Sequence, residues 1–299
     1  MDRTNSAIAI IEEFKQHLIA DGKSLSTIES YVGDVAGFTA WLLERGQTFT
    51  GEMRRLYVTS YRRYLVEEGF EVATINKKVN SLQSFNSFII ASGYMTEQVI
   101  DLKKDKVKVA QGSEHEVEVL TERETEQLLF HVEDDKVCSS RDRLIVTLLL
   151  YTGVRVSELV NLRLRDLDCL GMVLKVAWGK GGKVREVPLR TEVVDAIQEY
   201  LEGERKQNKH CDSEYLLLTQ RAGKMDRDSV NKVLKRIGKQ LGIQINPHKF
   251  RHSFCSRLIS RNVPITTVAR LAGHAGIQTT ATFYINTSRQ DKREAVDLL

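Results

Sequence analysis

Residues 103–118, KKDKVKVAQGSEHEVE, limit how this chain can fold more than any other stretch. They are charged and polar around a central Gln-Gly-Ser and cannot bury a core, so they read as a linker between two cores. A chain of 299 residues is in any case long for one core. The expected organisation is a domain over 1–102, a linker over 103–118 and a second domain over 119–299.

The first hundred residues carry helical periodicity throughout. Ile28, Tyr31, Val35, Phe38, Trp41 and Leu42 recur at helix spacing, with Ser26 or Thr27 as the expected N-cap and Gly46 as the stop. Further helices are expected to end at Gly69 and Gly93, and with the opening segment they make a four-helix bundle without strands. After the linker, Thr121 and Glu124 form a capping-box signature at the start of a new helix. The second domain reads as mixed. SSRDRLIVTLLLYTG is a strongly apolar helix, and VSELVNLRLRDLD is a second helix after a turn at Gly153. GMVLKVAWGKGGKVREVPL reads as a hairpin around Gly-Lys-Gly-Gly. SEYLLLT is a candidate short strand, and the remainder is helical, in keeping with only three prolines. The fold class expected is mainly α, with an α+β second domain built around a small hairpin or sheet.

A 41% apolar and 28% charged composition is that of an ordinary globular protein, and no run of eighteen apolar residues offers a membrane span. The N-terminal segment carries Asp2, Glu12 and Glu13, and its apolar stretch is too short for a signal peptide, so a cytoplasmic location is expected. Cys138, Cys169, Cys211 and Cys255 are scattered without a C-x-x-C pair, which argues against a zinc ribbon or disulfide framework. A net charge of +4 says little about partners, but Arg221 to Arg261 holds eleven Lys and Arg against Asp226 and Asp228. Such a block suits a polyanion-binding face.

Two local motifs can be set aside. His248 and His252 have metal-ligand spacing on one helix, but Lys249 and Arg251 lie between them and no H-E-x-x-H glutamate is present. Gly179-Lys180-Gly181-Gly182-Lys183 lacks the G-x-x-x-x-G-K-[ST] pattern, and a strand rather than a helix follows it. A lysine on such a hairpin tip can still reach a backbone phosphate. A third group makes joint sense: Arg155 after Tyr-Thr-Gly, His248 and Arg251 on one helical turn, His274 beside Gly273, and Tyr284 as the last tyrosine. Attack on a phosphodiester builds charge on non-bridging oxygens, which guanidinium forks match. A phenol nucleophile needs a proton acceptor, and the leaving 5′-oxygen needs a donor that Lys180 or a histidine supplies.

In this order the motifs resemble those of the tyrosine recombinases, the family that includes phage and transposon integrases and Xer-type resolvases. The resemblance runs through YTGVRVSELVNLRLRDLD, GKGGKVREVPL, HKFRHSFCSRLI, LAGHA and the segment bearing Tyr284, and covers nearly the whole chain. It implies an N-terminal all-α SAM-like core-binding domain and a catalytic domain that together form a C-shaped DNA clamp. It also implies a reaction without metal or other cofactor, in which Tyr284 forms a 3′-phosphotyrosyl link. Arg155 and Arg251 would clamp the scissile phosphate and His274 would hydrogen-bond to it. Lys180 would be the general acid, with Lys183 the fallback, and His248 would serve as acid/base or in positioning. Glu158 would support Arg155.

The partners implied are double-stranded DNA recombination sites and a homotetramer or hetero-tetramer on DNA, with no membrane. The tail ending in Ala295, Val296, Leu298 and Leu299 suits exchange between subunits. The tasks open to such an enzyme are integration, excision or resolution of DNA elements, on a phage, a transposon or a chromosome. One departure stands out. The family's usual nine-residue interval from the second histidine lands on Phe283, and Tyr284 is one residue further, about 100° around a helix. Two rival readings are a non-catalytic DNA-binding accessory or architectural protein and a type IB topoisomerase-like activity.

Overall fold

Helix α2 (Leu25–Glu44) starts where an oxygen side chain can take an orphan backbone N–H, at Ser24, whose Oγ accepts from Thr27 N. The cap is therefore upstream of the Ser26 or Thr27 expected. Ser24 is extended, and its carbonyl already accepts from Thr27 and Ile28, so Leu25-Ser26-Thr27 form the first turn. The computed structural model describes residues 3–108, 118–178, 183–274, 276–278 and 280–281, with the side chains of 3–6, 178 and 183 excluded. It divides into two units, Met1–Glu114 and His115–Leu299.

In the first unit α2 packs with α1 (Arg3–Ala20), α3 (Arg55–Glu67) and α4 (Val72–Ala91). The stripes that periodicity marks meet in an aromatic core, with Phe14 edge-on to Phe85 at 5.1 Å between centroids and Phe38 against Tyr61 at 5.2 Å. Among the described residues two carboxylates are buried in it, and each has a cation within reach, although Asp105 Oδ1 has no hydrogen-bond partner among those residues. Asp34 accepts from Lys78 Nζ at 3.1 Å and Ser81 Oγ at 2.8 Å. Asp105, in the single turn α5 (Leu102–Asp105), accepts from Arg55 Nη1 and from the Asp101 N–H.

The second unit is arranged around α7 (Ser140–Thr152). Leu144, Ile145, Val146, Leu148, Leu149 and Leu150 are all buried, so this helix is apolar on every side and must be surrounded. It packs against α6 (Glu122–Val132), α9 (Thr191–Tyr200), α10 (Arg227–Leu241) and α11 (Pro247–Ile259). α6 opens with the capping box read from Thr121 and Glu124. α12 (Ile265–Ala272) closes on α11 through Phe254, Cys255, Val268 and Ala272. Among the described residues no helix is long and apolar enough to cross a membrane.

A three-stranded antiparallel sheet, β1 (Leu167–Asp168), β2 (Val173–Trp178) and β3 (Lys183–Pro188), covers one side of this core. The β2–β3 hairpin is the one expected, in register Leu174↔Val187 and Val176↔Arg185. Leu174, Val176 and Val187 point inward and Lys175, Ala177 and Glu186 outward.

Two further expectations need correction. VSELVNLRLRDLD is not one helix: α8 (Val156–Leu159) is a single turn, followed by a 3₁₀ turn at Leu164–Asp166 and then β1. SEYLLLT forms no strand beyond one antiparallel bridge, Arg163↔Tyr215. The same hydrogen bonds explain both outcomes. Leu216 N donates to Leu162 O and Leu164 N to Glu214 O, which holds the 162–164 segment extended and ends α8 early. Buried Arg205 then fastens the 211–216 segment by donating to the carbonyls of Cys211, Ser213, Tyr215 and Leu216.

Candidate active site

Two helix C-termini converge in the second unit, and each ends in a left-handed glycine: Gly153 after α7 (φ 60°) and Gly273 after α12 (φ 68°). Neither position has room for a side chain. A Cβ at Gly153 would meet the Phe254 ring, with Cγ at 2.8 Å, and one at Gly273 would lie 2.6 Å from Arg185 Nη1. The carbonyls of both glycines accept from arginines. Arg251, on α11, donates from Nη1 to Gly153 O at 2.6 Å, and Arg155, at the N-cap of α8, donates from Nη2 to Gly273 O at 2.9 Å. The negative ends of two helices thus hold two guanidinium groups.

One carboxylate serves this cluster. Glu158 Oε1 accepts from Arg155 Nη1 and Arg185 Nη1, both at 3.0 Å. Its Oε2 accepts from Arg155 N and Arg185 Nη2, both at 2.8 Å. Burial pushes the Glu158 carboxyl up, but the Arg185 hydrogen bonds, the Arg155 N–H and both positive charges outweigh it and leave the group below its usual range.

Three arginines against one carboxylate leave the site rich in positive charge. Arg251 is almost fully buried, and its Nη2 has no hydrogen-bond partner among the described residues. Burial and then the charge of Arg155 pull its pKa down to about 10, so it remains a cation at neutral pH. His274 sits directly after Gly273, with Nδ1 2.7 Å from the hydroxyl of buried Thr280. Burial, then Arg251, Arg155 and Arg185, push His274 down to about 4, so its ring is neutral at pH 7.

Of the residues singled out in the sequence, Arg155, Arg251 and His274 are therefore brought together. His248 lies exposed on the first turn of α11, where its ring is 6.0 Å from that of His252. Burial first, then the nearby His248, lowers the pKa of His252. Lys249, between these histidines, is buried and ion-paired with Glu124 at 3.4 Å. Among the described residues no group of three or more His, Cys, Asp or Glu gathers as a metal site. Lys180 and Tyr284 lie outside the described residues, as does the side chain of Lys183.

Arg185 and Thr280 escaped the sequence reading. A signal for Arg185 existed, because hairpin alternation puts it on the inward face with Val187 and opposite Val176, where a guanidinium needs a partner. Nothing in the sequence pattern marked Thr280.

Comparison with known proteins gives this arrangement its class. Residues 118–291 match the model of the phage integrase family, and residues 11–93 match that of the phage integrase N-terminal SAM-like domain. The TnP I resolvase of Bacillus thuringiensis is 30% identical over 298 residues, covering 97% of this chain and 99% of the relative. Tyrosine recombinase XerA of Pyrococcus furiosus is 32% identical over 291 residues, 96% of this chain and 93% of that one. Among solved structures, XerH site-specific recombinase bound to palindromic difH substrate has a TM-score of 0.77 at 20% identity. It covers 93% of this chain and 81% of that one. The Tn1549 transposon integrase bound to transposon right-end DNA has a TM-score of 0.72 at 22% identity, with 96% and 98% coverage. The fold and the family are those of an integrase with a SAM-like first domain. The chain belongs to the phage integrase family and is a site-specific DNA recombinase of the tyrosine type.

Proposed function

We propose that Tyr284 is the nucleophile and that Arg155, Arg251 and His274 hold the scissile phosphate. The Tyr284 phenol oxygen attacks phosphorus, the bond from phosphorus to the 5′-oxygen breaks, and a 3′-phosphotyrosyl link remains. Lys180 gives a proton to the departing 5′-oxygen, with Lys183 as the alternative donor. His248 takes up the phenol proton or positions the groups that do. Attack by a partner strand's 5′-hydroxyl reverses the step, so strands are exchanged without an external energy source.

The observation that carries this reading is the buried Nη2 of Arg251, without a hydrogen-bond partner among the described residues, inside a cluster of three guanidiniums and one carboxylate. A phosphate oxygen satisfies such a donor, and the excess charge stabilises the pentacoordinate transition state. His274 adds the hydrogen bond of a neutral imidazole. In this reading residues 1–102 bind core DNA, 103–118 link, and 119–299 carry the chemistry. The enzyme acts in the cytoplasm on double-stranded recombination sites as a tetramer, with C-terminal tails exchanged between subunits. The XerH and Tn1549 structures, both bound to DNA, support the choice of partner.

The test is a nicked suicide DNA duplex that traps the covalent adduct, followed by mass spectrometry of the linked peptide. Adduct at Tyr284, lost in Y284F while DNA binding persists, is the expected result. Adduct at another residue, or cleavage by Y284F, overturns the assignment.

A further inference from the structure

We infer that Arg185 is a positioning residue for strand cleavage, holding Arg155 and the Gly273–His274 corner in place through Glu158 and the end of α12. The inference rests on the proposed roles of Arg155 and His274.

Arg185 makes three hydrogen bonds to two separate elements. Its Nη1 and Nη2 fork onto Glu158, and its Nε donates to Leu271 O at 2.9 Å, in the last turn of α12. The side chain is only 10% exposed and the Glu158 side chain 7%, so little water competes for these bonds. With two donors from Arg185 and two from Arg155, the four main lone-pair directions of the Glu158 carboxylate are taken. Its orientation is therefore set jointly by the two arginines, and the Arg155 guanidinium is aimed by a carboxylate that Arg185 fixes.

The same side chain explains the glycine before His274. Arg185 occupies the space that a Cβ at Gly273 would need, and the Gly273 carbonyl turns instead to Arg155. Arg185 is thus packed against the backbone that delivers His274. It also lies on β3, the strand that begins three residues after Lys180 in the sequence. A lysine at 185 keeps the charge but cannot fork onto a carboxylate and reach Leu271 O together.

The experiment uses full-length R185K and R185M on the suicide duplex, with single-turnover cleavage, DNA affinity and thermal unfolding measured on each. For R185K the expected result is a cleavage rate lower by roughly 10- to 100-fold, the scale of a small misplacement of catalytic groups. Its DNA affinity stays within about threefold, because the phosphate contacts that dominate affinity remain. R185M also loses a charge that faces His274, so the acid limb of its cleavage–pH profile moves to higher pH. A rate in R185K within twofold of the parent overturns the inference. So does a loss of cleavage that merely tracks lost folding and DNA binding.

Should R185K fail to fold, E158Q takes its place, since a carboxamide keeps one accepting oxygen and turns an NH2 toward the donors that the other oxygen served; cleavage at the parent rate then overturns the inference. Y284F and R155K are run alongside. Cleavage by either one undermines the underlying reading, whereas inactive Y284F and R155K beside a fully active R185K remove only the role of Arg185.

Discussion

The two units differ at one group of buried charges. In the first, the buried groups are carboxylates, and each has a cation within hydrogen-bond reach: Lys78 for Asp34 and Arg55 for Asp105. In the second, Asp142 and Lys249 are ion-paired in the same way, but Arg251 is buried close to Arg155 and Arg185; among the described residues its Nη2 has no hydrogen-bond partner and Glu158 is the one carboxylate bonded to the group. Balanced charge contributes to folding. An excess of buried positive charge costs stability unless an anion completes it, which is what the proposed phosphate-binding role of Arg251 supplies.

Replacing Arg251 by Met is the strongest way to break this contrast. Cleavage of the suicide substrate should fall by at least about 100-fold, the usual scale for losing a preorganised donor to the transition state. Stability in urea should change by no more than about 1 kcal/mol, because an apolar chain of similar size also removes an uncompensated buried charge. A severe loss of stability in R251M would mean that this charge is structural, like those of the first unit.

The glycines at helix ends sharpen the comparison. Gly69 closes α3 at φ 75° and faces open space, so G69A should cost about 1–2 kcal/mol, from the left-handed backbone alone. Gly153 has the same sign of φ but lies against the Phe254 ring, and overpacking adds roughly 1–3 kcal/mol. G153A should therefore unfold at clearly lower urea than G69A. Equal midpoints would show that α7 and α11 can separate without loss, and that the carbonyl holding Arg251 is not rigidly placed.

In the first unit, D105N tests the balanced case. The carboxylate is buried, but its partner Arg55 is 46% exposed and can turn to water, so the expected loss is only about 1–2 kcal/mol. Cleavage per folded molecule should be unchanged. A drop in cleavage without a drop in stability would place Asp105 in the chemistry and dissolve the distinction between the units.

How much of this was legible in the sequence depends on how local each signal is. Arg155, Arg251 and His274 sit in short motifs beside glycine or within one helical turn, and the same motifs carry the family resemblance. The helices of the first unit were visible because periodicity and terminal glycines repeat within each one. Arg185 was not seen, because its meaning depends on strand register and on Glu158, 27 residues away. The division of VSELVNLRLRDLD was hidden for a similar reason. Its apolar spacing suits a helix, and only pairing with the distant segment around Tyr215 keeps it extended. Signals that fit within a turn of helix survive in a linear reading, and those that need a tertiary partner do not.

The smallest expected effect comes from His274, and its sign follows from the same excess of positive charge. Arg251, Arg155, Arg185 and His252 face the ring, and together with burial they hold its pKa at about 4, against an ordinary value of 6.5. As pH falls through 6.5 the unfolded chain takes up the proton first, so this group contributes a loss of stability between pH 6.5 and 4. The loss levels off below pH 4, where both states are protonated. Partial exposure of the ring keeps it modest. H274Q, which cannot titrate, should show a shallower decline of thermal midpoint across that window and the same slope as the parent above it. Adding a phosphate oxyanion should reduce the decline in the parent and leave H274Q unaffected by comparison, because an anion among the arginines offsets the charge that disfavours protonation. Identical pH profiles for parent and variant, with and without the oxyanion, would mean that the arginines do not act on this histidine and that the second unit's excess charge is screened by water, as an ordinary surface would be.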